Sequence, residues 1–172
     1  MRIRFQYCIL GTAMLAAPVS ASDMTISIEV PRLRVAEYHN PYVAVWVADA
    51  NNRKIADLAV WYDTKLRNQE GEKWLPDLRT WWRRSGRALN LPIDGLSSPT
   101  RAPGRHALRF TDGRGRLPRM KAGSYTLMVE AAREVGGREV LAVPFVWPPK
   151  GTKTTSAQGK AELGKVIVTV KP

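Results

Sequence analysis

A loop of small and hydroxyl-bearing residues is the part of this sequence best suited to chemistry. It contains Asp94, Gly95, Ser97 and Ser98 and ends at Thr100. Small neighbours leave the Thr100 hydroxyl accessible, while the Asp94 carboxylate is able to cap a turn through nearby backbone N–H groups. Two interpretations are open from these residues alone: Thr100 is a modified hydroxyl, or it is an ordinary turn residue.

A second candidate cluster is the run Trp81-Trp82-Arg83-Arg84. Indole rings stack on planar ligands, and guanidinium groups pair with anions. The run belongs to a predicted short helix over residues 74–86, with apolar residues at i, i+3, i+4 spacing on one face. The alternative is that this face closes one end of the protein core, which would bury at least two of the three tryptophans at 74, 81 and 82.

The constellations of common hydrolases and metal sites are missing from the sequence. His39 and His106 are far apart in the chain, and no G-x-S-x-G motif is present. The lone Cys8 excludes an internal disulfide framework. His39 precedes a predicted strand, where a turn role is expected. We therefore expect a protein that is not an enzyme and that binds no metal.

Charge is the strongest feature of the composition. The 172 residues include 27 Lys and Arg against 15 Asp and Glu, for a formal net charge of +12. Nucleic-acid-binding proteins cluster such charge and interleave it with aromatic residues. Here the arginines are spread through the chain, so we expect no nucleic acid partner. Instead of a nucleic acid partner, the positive charge indicates attraction to acidic proteins or to anionic envelope surfaces.

Residues 1–21 have the composition of a signal peptide. Arg2 and Arg4 precede a short apolar run, and small residues ending at Ala21 are typical of a cleavage site after that residue. The run is shorter than the roughly 20 apolar residues that a transmembrane helix needs. No later segment is apolar enough to cross a membrane. The sequence therefore predicts an exported, periplasmic protein that does not itself span the membrane.

Residues 22–172 are predicted to form one all-β domain. Met24–Val30 alternates apolar and polar residues with the period of a half-buried strand. Turn-forming residues at 49–53 and 135–137 indicate hairpins. Six further strand-like runs follow the first: Tyr42–Ala48, Ile55–Tyr62, His106–Phe110, Ser124–Ala132, Arg138–Trp147 and Lys165–Val170.

Seven short strands of this kind favour an immunoglobulin-like antiparallel β-sandwich with one short inserted helix. Periodicity is lost between Arg87 and Gly104, and a long irregular loop in a compact domain is often functional. Pro148–Gly159, rich in Lys, Thr, Ser and Gly, is predicted to be a solvated loop.

The small-residue loop resembles the acceptor motif of ApbE-type flavin transferases. That motif reads Asp, Gly or Ser, any residue, Ser or Thr, Gly or Ser, Ala, and a final Thr or Ser. Pro99 departs from the usual Ala. The matching residues are Asp94, Gly95, Ser97, Ser98 and Thr100.

Nearly all of the chain after residue 21 is similar to a family of predicted periplasmic proteins of unknown function. Members of that family are often encoded beside PepSY membrane proteins and ApbE-type transferases. The resemblance is carried by Trp46, Trp61-Tyr62-Asp63, Lys73-Trp74-Leu75-Pro76, Trp81-Trp82, residues 100–104, Gly136-Gly137-Arg138-Glu139 and Pro144-Phe145-Val146-Trp147-Pro148, in that order.

The resemblance implies an electron carrier with a covalent flavin. A Mg-dependent ApbE-type transferase would join the phosphate of FMN to the Thr100 hydroxyl as a phosphoester, and a PepSY-type membrane protein would supply electrons. Beside that site, Arg101 or Arg105 is expected to pair with the phosphodiester. Trp81 and Trp82 are expected to stack on the isoalloxazine ring, with Arg83 or Arg84 raising its potential.

Two alternatives remain from the sequence. The first is a non-redox binding module whose Trp/Arg face, built from residues 81–84, holds an acidic partner or an envelope polymer. The second is a family member in which Pro99 has abolished flavin attachment, so that fold and partners persist without the cofactor.

Overall fold

The computed structural model describes residues 21–172, so the predicted signal peptide at 1–21 lies outside it apart from Ala21. The strands in this part of the chain are β1 (Asp23–Val30), β2 (Tyr42–Asp49), β3 (Lys54–Trp61), β4 (Ser97–Ser98), β5 (Gly104–Thr111), β6 (Gly123–Ala132), β7 (Arg138–Trp147), β8 (Lys153–Gln158) and β9 (Lys165–Lys171). Helix α1 (Arg79–Arg84) lies between 3-10 segments at Arg67–Asp77 and Gly86–Ala88.

Two sheets form a sandwich, which confirms the predicted all-β fold. One sheet has the strand order β5-β1-β9-β8, and the other has the order β4-β3-β2-β6-β7. Neighbouring strands are antiparallel except for β3 and β4, which run parallel. Both predicted hairpins form: β2 pairs with β3 and β6 pairs with β7.

The main core lies between the two sheets. Apolar and polar residues alternate along strand β1 because every second side chain points into the core. The buried residues are Met24, Ile26, Ile28 and Val30, and the residues between them are not buried. Residues from β2, β3, β6 and β7 face them across the sandwich, and those of β9 lie beside them in the same sheet. The period-two pattern read from the sequence is therefore the physical signature of this interface.

Strand β2 is buried on both of its faces, because a second cluster covers the outer face of the five-stranded sheet. Ala44 and Trp46 project to that side. The segment between β3 and β5 supplies the cover, with Leu75, Leu78 and Trp81 fully buried. The alternative interpretation of residues 74–86 was that they close one end of the core and bury at least two of their three tryptophans. The segment lies instead across a sheet face, and of these three Trp81 alone is fully buried.

One prediction about loops is wrong. The stretch at 148–159, expected to be a solvated loop, contains strand β8, which pairs with β9 along its whole length. β8 is the edge strand of its sheet, and most of its side chains are exposed. Edge strands carry polar residues that discourage pairing with other chains. Its composition therefore matches that of a loop.

A carboxylate on β7 organises the turn that leads into β9. Glu139 accepts hydrogen bonds from the backbone N–H groups of Lys160, Ala161 and Leu163, at 2.6, 3.1 and 2.9 Å. Burial alone would raise the pKa of Glu139, but these N–H donors outweigh it and hold the pKa below its ordinary value of 4.5. The ionised form is therefore the one that stabilises the fold.

We predict that Glu139→Gln lowers the free energy of unfolding by about 1.5 kcal/mol at pH 7, the scale of a charge-assisted hydrogen bond. Because the folded-state pKa is depressed, the stabilisation is complete above pH 4.5 and is lost as pH falls through the folded-state pKa. Urea unfolding of both proteins across pH 3–7 checks this. A difference that stays constant with pH would contradict it. Glu70→Gln, at an exposed carboxylate, is the matched control.

Candidate functional site

The small-residue loop over residues 94–100 is part of a tight, internally bonded turn. The carbonyl of Ile93 accepts from the N–H groups of Leu96 and Ser97, and the Ser97 hydroxyl accepts from the Ile93 N–H at 3.0 Å. Asp94 accepts the N–H of Gly95 at 3.0 Å, which is the capping role expected of it. Gly95 has φ +70°, a conformation that glycine adopts at little cost.

The next residues of this loop are fixed to the five-stranded sheet. Leu96 is 2% exposed and belongs to the outer cluster. Its carbonyl accepts from the Val60 N–H at 2.8 Å, and the Ser98 carbonyl accepts from the Tyr62 N–H at 3.0 Å. The sequence predicted an irregular segment here. Instead, the short strand β4 pairs in parallel with β3, and this pairing ends at Ser98, two residues before Thr100.

Thr100 is half-buried and lines a cavity of about 180 Å³. Three separate parts of the chain complete the lining: the approach to β2, the segment after β3, and the turn between β6 and β7. Among the described residues, those that share this cavity with Thr100 are His39, Asn40, Tyr42, Asp63, Leu66, Trp74, Asp77, Ala132, Arg133 and Glu134.

Trp74 is the exposed aromatic residue of this cavity. Its side chain is 48% exposed, although its neighbour Leu75 is buried in the outer cluster. Gly71 helps to fix the segment, because a Cβ at that position would lie 1.9 Å from the Asp63 carbonyl oxygen. The Tyr42 hydroxyl donates to the Gly71 carbonyl at 3.0 Å. Burial raises the pKa of Tyr42, which keeps this donor protonated.

The charges around the cavity are mainly acidic. Asp63, Asp77 and Glu134 line it, against one arginine, Arg133. The Arg133 guanidinium is itself paired with the buried Glu162, with Nε 2.9 Å from Oε2. Its Nη1 atom has no hydrogen-bond partner among the described residues. A ligand in this cavity would therefore meet carboxylates beside a single immobilised cation.

His39 lies at the cavity rim between two carboxylates. One ring nitrogen is 2.9 Å from Glu37 and the other is 3.6 Å from Glu134. The sequence predicted a turn residue that bonds to backbone, whereas the observed partners are side chains. His106 is on β5, where its Nε2 lies 2.8 Å from the Ala102 carbonyl.

Trp81 and Trp82 do not line the Thr100 cavity. Trp81 is fully buried, its backbone N–H donates to Glu130 at 2.7 Å, and its indole Nε1 donates to Asp57 at 3.0 Å. Trp82 is half-buried and packs on Trp81, with ring centroids 6.4 Å apart. Trp81 is thus enclosed in the outer cluster. The prediction that its ring stacks on a flavin is therefore wrong.

The arginines of the sequence prediction are dispersed around this region. Arg83 is exposed, and Arg84 donates to the Asn52 carbonyl in the β2–β3 turn, so neither lines the Thr100 cavity. Arg101 is exposed with its guanidinium 5.5 Å from the centre of the Trp61 ring. Arg105 is exposed on β5 opposite Glu29. Of the arginines named in the prediction, Arg101 is therefore the one directly next to Thr100 in the chain.

Sequence reasoning did not assign the cavity residues contributed by distant segments. Trp74 was noticed only as part of a family resemblance, and Tyr42, Asp63 and Asp77 were not singled out as site residues. The one signal in the sequence for this cavity was Trp74 itself, an aromatic residue next to Leu75 in a stretch otherwise rich in charge. Within residues 21–172, no cluster of three or more His, Cys, Asp or Glu side chains suits a metal ion.

Two stacked sheets, with one outer face covered by an inserted segment that carries a hydroxyl-bearing loop, define an all-β sandwich protein. Residues 23–165 match the family described as Predicted periplasmic protein (DUF2271), and the chain belongs to that family. Its periplasmic localisation, predicted from the sequence, agrees with the family. No curated protein and no solved structure matches the chain significantly. Within residues 21–172, every helix is too short or too polar to cross a bilayer.

The position of the inserted segment depends on the buried carboxylate Glu130. We predict that Glu130→Gln lowers the free energy of unfolding by about 2 kcal/mol, because the buried carboxylate loses its charge-assisted hydrogen bonds to helix α1 and to the partly exposed Arg138. The amide would also present N–H groups toward the helix donors that the carboxylate now accepts. Urea unfolding followed by tryptophan emission measures the change. An unfolding curve that matches the wild type would contradict it, with Glu70→Gln again as the control.

Proposed function

We propose that this protein is a periplasmic electron carrier that holds FMN on Thr100 through a phosphoester, and that it is not itself an enzyme. The observation that carries the proposal is that the final hydroxyl of the acceptor motif lines a cavity together with an exposed tryptophan. An acceptor needs a reachable hydroxyl and nearby space for the group it receives. Thr100 has both.

The surroundings of Thr100 fit FMN. This cavity and an adjoining one of about 420 Å³ share Trp74, Asp77, Ala132, Arg133 and Glu134. Ligand sites commonly measure 300–1,000 Å³, so the two together suit a ring system of this class. Arg101 follows Thr100 directly and is exposed, which makes it the cation best situated for the phosphodiester.

Attachment would be performed by a separate ApbE-type transferase. The Thr100 oxygen bonds to the phosphorus of the FMN half of a flavin dinucleotide, and the phosphoanhydride bond of that donor breaks. Adenosine monophosphate leaves, and the hydroxyl proton is released. Exposed Asp94 and Gly95 leave one side of the loop open to the transferase. When bound, the flavin supplies the capacity to accept and release electrons.

The expected electron partner is a PepSY-type membrane protein, as the family resemblance implies. A covalent link suits a small cofactor outside the cytoplasm, because free FMN would be diluted and lost. On this proposal, the β-sandwich itself serves as a rigid support, and the acceptor loop carries the redox group.

The two alternatives have less support. A binding module that uses residues 81–84 would need an exposed indole surface, but Trp81 is fully buried and Trp82 is half-buried. Loss of attachment through Pro99 is countered by the ordered turn before it, since Pro99 is exposed and the hydrogen bonds of the loop end at Ser98.

We predict that the mature protein, co-expressed with an ApbE-type transferase, gains the mass of one FMN less one water. Thr100→Ala should abolish the gain, since no other group takes the place of the acceptor hydroxyl. Thr152→Ala, at an exposed loop threonine, is the matched control and should retain it. Intact-mass spectrometry makes the measurement.

Pro99→Ala restores the usual residue of the motif and separates the proposal from its degenerate alternative. We expect wild type and Pro99→Ala both to be modified. Modification of Pro99→Ala alone would support the degenerate reading, in which Pro99 blocks transfer. If both stay unmodified while a known acceptor is modified in the same cells, the flavin proposal fails.

A further inference from the structure

We propose that the isoalloxazine ring of the Thr100-linked flavin lies against Trp74, in the hollow formed by the two adjoining cavities. This inference rests on the proposed function and names the residues that hold the ring. It replaces Trp81 and Trp82, which the sequence suggested for this role.

Trp74 stands apart from the other tryptophans of the chain. Trp46, Trp61, Trp81 and Trp147 are at most 1% exposed, and Trp82 is half-buried. Trp74 leaves 48% of its surface in solvent. Exposing so large an apolar ring forgoes the free energy that burial would supply. A planar ligand that covers it recovers part of that free energy.

The position of Trp74 is fixed before any ligand arrives. Leu75 and Leu78, on either side of Pro76, are buried in the outer cluster. Close packing of Gly71 on the Asp63 backbone holds the start of the segment. Pre-ordered aromatic surfaces lose little conformational entropy on binding, so they suit a stacking role.

The two cavities give the ring a continuous path from its point of attachment. Thr100 lines the smaller cavity, of about 180 Å³, and not the larger one. Trp74, Asp77 and the β6–β7 turn line both. A ring tethered at Thr100 therefore reaches the Trp74 face first, and the larger cavity takes its far end.

Charged groups of both signs line the hollow. Asp77, Glu134 and Arg133 line both cavities together with Trp74, whereas Arg79 and Arg138 line only the larger one. Reduction adds negative charge to a flavin, and carboxylates beside the ring oppose that charge. Removal of the Asp77 and Glu134 charges is therefore expected to raise the midpoint potential of a ring that lies against Trp74.

Flavin fluorescence tests the contact with Trp74. An indole stacked on an excited flavin donates an electron to it and takes it back, which quenches emission. In flavin-loaded protein, Trp74→Ala should raise emission several-fold, while Trp82→Phe, the matched control, should leave it unchanged. Intact mass of each variant shows that the flavin is still attached.

The outcomes separate the two proposals. No mass gain in wild type overturns the proposed function and this inference with it. A normal mass gain with equal emission in wild type and Trp74→Ala overturns this inference alone. A rise in Trp82→Phe instead would assign the stacking to Trp82 and also overturn it.

Redox titration tests the position of the ring beside Asp77 and Glu134 independently of fluorescence. The double variant Asp77→Asn, Glu134→Gln should raise the midpoint potential of the attached flavin, because both residues are exposed carboxylates of the hollow. Glu70→Gln, at an exposed carboxylate outside the lining of both cavities, should not change it. An unchanged or lower potential in the double variant would place the ring elsewhere and overturn the inference.

Discussion

One buried carboxylate fixes the segment on which the candidate site depends. Glu130 is 0% exposed on the outer face of the five-stranded sheet, where an unpaired charge would be very costly. The backbone N–H groups of Thr80 and Trp81 donate to it at 3.0 and 2.7 Å, and the Arg138 guanidinium pairs with it. The start of helix α1 therefore has one favourable position on the sheet.

A second carboxylate, Asp57 on β3, fixes the other end of the same helix. It accepts from the Trp81 indole at 3.0 Å and from the Ser85 hydroxyl at 2.9 Å. With both ends tied to the sheet, the chain before α1 must present Trp74 near the β6–β7 turn, and the chain after it must return along β3. Thr100 and Trp74 line one cavity because two buried acids determine where α1 lies.

How much the sequence predicted follows from the physics of each element. Strands such as β1 were predicted because apolar side chains on one face alternate with polar side chains on the other. Strand β8 was missed because it is an edge strand with mostly exposed side chains, so its sequence lacks this alternation. The small-residue loop over residues 94–100 was singled out because its residues are adjacent in the sequence. The place of Trp74 in the Thr100 cavity was missed, because the predicted helix over 74–86 is two elements: a 3-10 segment ends at Asp77, and α1 begins at Arg79. Helical spacing across that break gives Trp74 and Trp81 a false common face.

The pairing of β4 with β3 has a consequence for kinetics. Because Ser98 is bonded to the sheet, a flavin attached to Thr100, as proposed, would begin its reach from a nearly stationary point. Its return to the hollow would be an intramolecular event, governed by an effective concentration in the millimolar range or higher. Contacts too weak to capture a freely diffusing cofactor would then be enough to dock a tethered one. The same weak contacts would let it leave again within a short residence time.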